Sequence, residues 1–211
     1  MTFGRVGIFG DSYSTFEGCV PEGYFSYYGK GKHVDTGVLR REDTWWDLLI
    51  RETSSTLVLN NSFSGSTVCL TGRADHPASS AFAVRAPLFF NGETPLDTIF
   101  FLGGTNDSWI DSPLGDPTPK DWRDYTEEDK KDVLPAIGYV IGYLRAHYPD
   151  ARIVTVINEI LKPEIKETLK AAAEKYRCQT VLLHGVRMIH GHPDLTGMKQ
   201  IRDQIVETVQ K

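Results

Sequence analysis

The chain alternates short apolar runs with amphipathic segments along most of its length, and this alternation constrains its fold more than any other feature. Five runs have the length and the branched or aromatic composition of buried strands, at residues 6–9, 56–60, 97–102, 152–157 and 179–183. Helices are predicted at about 45–52, 126–147, 163–176 and 195–209. Strands that alternate with helices form βαβ units, so the sequence predicts an α/β protein, a three-layer α/β/α sandwich around a five-stranded parallel sheet.

Length and composition fit one soluble globular domain over residues 1–211. The chain has 211 residues, of which 40% are hydrophobic and 24% charged, so it can bury one substantial core. The formal net charge is −5 and Lys and Arg form no run, which argues against a nucleic-acid partner. Cys19, Cys69 and Cys178 lie far apart and are odd in number, which favours reduced thiols over a disulfide framework.

The sequence gives no indication of a membrane span. No apolar segment approaches the roughly 20 residues that cross a bilayer. Arg5 and the first strand follow Met1 almost at once, so no signal peptide is expected in this sequence and a cytoplasmic location is the default. An exported protein whose signal had been removed would begin in the same way.

Several segments are harder to assign. Residues 17–43 and 108–125 are rich in Gly, Pro or Asp and predict two long loops that carry aromatic side chains. Residues 82–90 form an apolar segment interrupted by Pro87. Pro135 either kinks the helix predicted from Thr126 or marks its true beginning.

Ser12 stands directly after the first strand, in the stretch Gly10-Asp11-Ser12. Gly10 permits a sharp turn there, and open α/β sheets place their sites beyond the carboxyl ends of the strands. From these residues alone, Ser12 is either a nucleophile on a rigid edge or the N-cap of the next helix, and the cap is the commoner use.

Other polar groups follow strands that end at the same edge of the sheet. The second strand leads to Gly65, the third ends at Gly104-Thr105-Asn106-Asp107, and His192 follows the fifth. A serine, a glycine amide, an asparagine and a histidine together provide a nucleophile, a base and oxyanion donors. That set is what acyl transfer needs.

These motifs resemble those of the SGNH (GDSL-type) hydrolases. Gly10-Asp11-Ser12 is similar to the nucleophile block, Gly65 to the glycine block and Gly104-Thr105-Asn106-Asp107 to the Gly-x-Asn-Asp block. His192-Pro193 is similar to the histidine block. All four occur in the family's order over nearly the whole chain, each at the end of a predicted strand.

The resemblance implies both a fold and a chemistry. The fold is flavodoxin-like with strand order 2-1-3-4-5. The chemistry is ester hydrolysis through an acyl-enzyme at Ser12, with His192 as the base and with the Ser12 amide, the Gly65 amide and the Asn106 side chain as oxyanion donors. No metal and no organic cofactor are implied.

One position departs from the family pattern. The family's acid lies three residues before the histidine, where this chain has Ile189. An apolar side chain cannot orient the imidazole. Either a backbone carbonyl binds the imidazole in a Ser-His dyad, or another carboxylate reaches it. Asp194 and Glu159 are candidates, although Asp194 directly precedes the last helix and is better interpreted as its N-cap.

The remaining candidates have structural interpretations that we favour. Asp11 is expected to stabilise the turn after the first strand, and Asp107 to cap a helix or hold the Asn106 loop in shape. His190 and His192 have the spacing of metal ligands, but the sequence shows no third ligand at a suitable distance.

The leading functional hypothesis is a serine esterase acting on a small-molecule ester, with an O-acetyl group on a carbohydrate as the candidate substrate. A lipase or thioesterase for longer acyl chains is the nearest alternative and would need a deep apolar channel. Ile189 motivates a catalytically weakened binding module. A flavin-binding protein would share the architecture, but Asp11 and Glu17 put negative charge where a phosphate would lie. The oligomeric state stays open.

Overall fold

The sheet confirms the predicted topology. The computed structural model describes residues 2–209 and contains five parallel strands: β1 (Arg5–Gly10), β2 (Thr56–Ser62), β3 (Thr98–Leu102), β4 (Arg152–Ile157) and β5 (Gln179–Leu182). Their order is β2-β1-β3-β4-β5, as the resemblance implied. A short antiparallel pair, β6 (Met188–Ile189) and β7 (His192–Pro193), follows β5.

In the described part of the chain, six helices flank the sheet: α1 (Trp45–Glu52), α2 (Phe82–Phe89), α3 (Thr105–Trp109), α4 (Val133–His147), α5 (Pro163–Lys175) and α6 (Leu195–Val209). Side chains alternate between the two faces of a strand, so β3 serves two separate cores. Ile99 and Phe101 pack with α2, α4 and α5 on one face. Phe100 and Leu102 pack with α1 and α6 on the other, which completes the three layers.

Of the two alternatives that the sequence left open for Pro135, the structure shows the one in which it marks the beginning of the helix, α4. Thr126 and Asp129 make reciprocal side-chain bonds to each other's amides, but they close only a single 3₁₀ turn over Asp129–Lys131. A continuous helix would bring the ring of Pro135 against the carbonyl of Lys131. The chain is therefore extended at Asp132, and Pro135 lies in the first turn of α4, where no helical N–H is needed.

Two helices were not predicted. The interrupted segment 82–90 forms α2 in spite of Pro87, and at its start the amides of Phe82 and Ala83 donate to the Thr67 and Val68 carbonyls. Tertiary hydrogen bonds thus satisfy the start of this helix. The short α3 replaces the beginning of the predicted loop 108–125 and carries Asn106 and Asp107.

Within residues 2–209, the helices are too short or too polar to cross a bilayer. Cys19, Cys69 and Cys178 are all free thiols, in agreement with the sequence prediction.

Candidate active site

Ser12 lies immediately beyond the end of β1, on a single 3₁₀ turn (Ser12–Ser14). The cap of this turn is Asp11, whose Oδ1 accepts the Tyr13 amide at 3.1 Å. A side chain at position 10 would collide with Ser14 and Ser62, so Gly10 is required for the turn to pack against β2. The structure thus gives the capping role to Asp11 and leaves the Ser12 hydroxyl for another partner.

That partner is His192. Its Nε2 lies 3.0 Å from Ser12 Oγ, although 180 residues separate the two in sequence. The Nδ1 atom lies 3.1 Å from the His190 carbonyl, which can only accept, so the proton of a neutral imidazole belongs on Nδ1. This assignment leaves Nε2 free to accept the Ser12 proton. Burial lowers the pKa of His192 to about 4, so the imidazole is neutral at neutral pH.

Neither candidate acid from the sequence reaches His192. Within residues 2–209, no carboxylate oxygen lies within 4 Å of its imidazole. Asp194 instead accepts the Gly197 amide at 2.8 Å as the N-cap of α6 and pairs with Arg187. Glu159 accepts the Val186 amide at 3.2 Å. Of the two predicted arrangements, the structure shows the one in which a backbone carbonyl binds the imidazole.

Two tyrosines hold the chain on either side of His192. The Tyr13 hydroxyl donates to the Gly191 carbonyl at 2.6 Å, and the Tyr28 hydroxyl donates to the Pro193 carbonyl at 2.7 Å. Both tyrosine side chains are fully buried. The histidine backbone is therefore fixed to the segment that carries Ser12 and to the loop that follows it.

The predicted glycine lies in a loop shaped for it. Gly65 has φ +84°, which favours glycine, and a Cβ at this position would overlap the ring of His76. The His76 Nε2 in turn lies 3.0 Å from the Ser64 carbonyl. Sequence reasoning gave His76 no role, because the contact joins two loops and leaves no local pattern.

Asn106 and Asp107 fix the rest of this loop from α3. The Asn106 side-chain amide donates to the Ser66 carbonyl at 3.0 Å. The buried Asp107 carboxylate accepts the Val68 amide at 2.9 Å and the Cys69 amide at 3.3 Å. Burial raises the pKa of Asp107. Asp107 thus holds the loop that follows Gly65, whereas the sequence suggested a helix cap or a contact within the Asn106 loop.

Arg85 is a second residue that the sequence did not single out. It is fully buried on α2 and all its donors bind oxygen: Nε donates to Ser80, Nη1 to Asn61, and Nη2 to the Gly10 carbonyl and the Ser66 hydroxyl. The guanidinium lies over the rings of Phe9 and Phe82. It connects the end of β1, the end of β2 and the loop that contains Gly65 and Ser66. An arginine inside an apolar segment was the available signal, since such a residue is rarely buried without partners.

The described residues offer no evident metal site. In the stretch from Thr2 to Val209, no three His, Cys, Asp or Glu side chains are placed to hold an ion. His190, one of the pair with metal-ligand spacing, instead lies 2.9 Å from Asp35.

The reactive groups are closely enclosed. Ser12 is 2% exposed and His192 8% exposed. An apolar cavity of about 260 Å³ exists elsewhere, under Pro117 and Pro119 between α4 and α5, and neither Ser12 nor His192 lines it. This cavity therefore does not open onto the candidate nucleophile.

Comparison with known proteins places this geometry in a family. A sequence model of the family described as GDSL-like Lipase/Acylhydrolase matches residues 4–209. No curated protein matches the chain. The crystal structure of a protein described as a GDSL-like lipase from Bacteroides ovatus is 35% identical, has a TM-score of 0.89, and aligns over 100% of this chain and 99% of its own. The corresponding protein from Bacteroides uniformis is also 35% identical at TM-score 0.89, over 98% and 95%.

A more distant structure shares the fold alone. It is a carbohydrate acetylesterase from Sinorhizobium meliloti, with 16% identity, a TM-score of 0.60 and 98% coverage of both chains. The family match spans all four sequence motifs and nearly every described residue. This chain belongs to the GDSL-like lipase/acylhydrolase family.

Proposed function

We propose that this protein is a serine esterase that cleaves a small acyl ester through an acyl-enzyme at Ser12. The observation that carries the proposal is the 3.0 Å contact between Ser12 Oγ and a His192 Nε2 that is free to accept a proton. A nucleophile and base within hydrogen-bond reach, with the base oriented by a third group, is the arrangement that nucleophilic catalysis requires.

The reaction follows from these positions. Ser12 Oγ attacks the ester carbonyl while its proton passes to His192 Nε2. The oxyanion lies against the Ser12 amide, the Gly65 amide and the Asn106 side chain, of which each donor is worth on the order of 100- to 1000-fold in rate. Collapse of the intermediate expels the alcohol, which takes the proton from His192. A water molecule, deprotonated by the same imidazole, then releases the acid and restores Ser12.

The alcohol portion of the substrate has a defined neighbour. Because His192 protonates the leaving oxygen, the alcohol must depart on the His192 side of the site. The indole of Trp109 lies there, with its ring centre 5.4 Å from that of His192, and the side chain is 42% exposed. An exposed indole suits stacking against a sugar ring. We therefore propose an O-acetyl group on a carbohydrate as the substrate.

Longer acyl esters are the second candidate, because the Bacteroides relatives at 35% identity are described as lipases. The enclosed Ser12 favours the small acyl group over this alternative. A catalytically weakened binding module is the other alternative. It is favoured by Ile189 and by the lack of a carboxylate at His192 within residues 2–209.

A chain-length series separates these candidates. We expect kcat/KM to be highest for p-nitrophenyl acetate and to fall at least tenfold by the octanoate. Acetylated xylo- and gluco-oligosaccharides should release acetate, and Ser12→Ala should abolish both activities. A maximum at the octanoate would favour the lipase alternative. If wild type turned over none of these esters faster than Ser12→Ala, the result would favour the binding module.

A further inference from the structure

We propose that Tyr27 is the positioning residue that takes over from the family's carboxylate at His192. In this chain, the face of the phenol ring holds the imidazole and stabilises its charged form during the reaction. The inference rests on the proposed function, because it concerns how His192 works as the base of Ser12. It assigns a task to the loop 17–43, which the motifs left without one.

Tyr27 lies flat against His192. Their ring centres are 3.5 Å apart and their planes differ by 7°. Both ring nitrogens of His192 already have hydrogen-bond partners, which leaves the faces of the ring for further contacts. The other aromatic neighbours, Tyr13 and Trp109, approach at 62° and 65° and supply no second stacked face.

Tyr27 is itself held in place. The Tyr27 amide donates to Thr15 Oγ1 at 2.9 Å, and the Thr15 hydroxyl in turn donates to the Ser12 carbonyl at 2.9 Å. The ring of His33 stacks on its far side, with centres 3.8 Å apart and planes within 6°. The phenol ring therefore lies between two imidazoles, and its backbone is connected through one side chain to the candidate nucleophile.

This arrangement can perform both tasks of the missing acid. A carboxylate fixes the orientation of the imidazole and stabilises the imidazolium that forms when Ser12 loses its proton. The stacked ring restricts rotation of His192 out of the plane that joins Ser12 Oγ and the His190 carbonyl. The negative face of an aromatic ring also attracts a cation more strongly than a neutral ring. The contact therefore strengthens as charge develops, which raises kcat more than it improves substrate binding.

The test compares Tyr27→Leu with Tyr27→Phe. We expect Tyr27→Leu to lower kcat about tenfold, equivalent to about 1.4 kcal/mol, with KM within twofold of wild type. The rate of fluorophosphonate labelling at Ser12 should fall by a similar factor. Tyr27→Phe keeps the ring and should stay within twofold of wild type in all three measurements.

Tyr24→Leu is the matched control. Tyr24 lies in the same loop, but it packs on Phe63 and Phe89, so its replacement should leave kcat within twofold. Thermal unfolding establishes that each variant is folded. If Tyr27→Leu is not, Tyr27→Met takes its place, because methionine fills irregular gaps without a ring.

Three results would overturn the proposal. The first is a kcat for the folded non-aromatic variant within twofold of wild type. The second is a change in KM with kcat unaltered. The third is an equal fall of kcat in Tyr27→Phe, which would assign the effect to the hydroxyl. A wild type that fails to label or turn over would instead refute the proposed function, and this inference with it.

Discussion

The Tyr13 hydroxyl donates to the Gly191 carbonyl at 2.6 Å, so the residue after the candidate nucleophile binds the residue before the candidate base. The contact spans 178 residues of sequence and fixes the distance between two segments that meet only in the folded protein. It therefore helps to set the position of His192 relative to Ser12.

Removal of this hydroxyl should reduce the rate. A hydrogen bond contributes about 0.5–1.5 kcal/mol net, so we expect Tyr13→Phe to lower kcat about three- to tenfold and to leave KM nearly unchanged. Steady-state hydrolysis of p-nitrophenyl acetate measures both values. Tyr143→Phe on α4 is the matched control and should behave as wild type. An unchanged kcat in Tyr13→Phe would show that the other contacts are sufficient to position His192.

The pH dependence of the rate reports the protonation of His192. Burial lowers its pKa to about 4, and the base must be neutral to accept the Ser12 proton. We therefore expect kcat/KM, followed by acetate release, to stay level down to about pH 5 and to reach half its value near pH 4. A midpoint near 6.5 that persists in Asp11→Asn would contradict the buried, carboxylate-free environment of the imidazole. Circular dichroism at each pH separates inactivation from acid unfolding.

The effect of pH on stability should run opposite to its effect on the rate, because Asp11 should make the folded protein less stable as the pH rises. Burial raises its pKa to about 7 from an ordinary 3.8, so between these values the folded state holds a proton that the unfolded state has released. Its contribution to stability is complete below about pH 4 and is lost as the pH rises through 7.

Asparagine cannot titrate, so the free energy of unfolding of Asp11→Asn minus that of wild type should increase with pH. The increase should be at most about 1.4 kcal/mol per pH unit between pH 4 and 7. Urea unfolding at several pH values measures it, with the exposed Asp124→Asn as control. A difference that does not vary with pH would show that Asp11 is ionised throughout this range.

The sequence predicted the sheet well and singled out candidate reacting groups, because both leave local patterns. The strand β3 contains the apolar run 99–102, and Ser12 and Asn106 each follow a strand whose end is marked by glycine. The backbone carbonyl at His192 was one of two arrangements that the sequence left open. The choice depended on which carboxylates the fold brings near, and no local pattern encodes that.

The supporting contacts could not be predicted, because they join distant segments. His76 covers Gly65, Arg85 binds Gly10 and Ser66, and nothing near these residues in the sequence indicates the partner. The start of α4 was one of two alternatives that the sequence left open, and the structure shows the one in which Pro135 marks it. The cap at Thr126 is present, but the conflict between Pro135 and a continuous helix outweighs it.

Arg85 should be essential to the stability of the site region. Lysine has three donors on one nitrogen and cannot reach oxygens on four segments, so Arg85→Lys leaves buried acceptors unpaired. We expect a loss of about 2–4 kcal/mol in the free energy of unfolding, measured by urea denaturation. The exposed Arg123→Lys should change it by less than about 0.5 kcal/mol. Equal stabilities for the two variants would show that the buried guanidinium network contributes little.

The most direct test of the account is whether Ser12 and His192 act together as nucleophile and base. Intact-mass analysis after treatment with a fluorophosphonate should show one adduct on the wild type, at Ser12. The adduct should be absent from Ser12→Ala and at least 100-fold slower to form in His192→Ala, with ester turnover lost in both. An unlabelled wild type, or labelling that persists at the wild-type rate without His192, would contradict the proposed dyad.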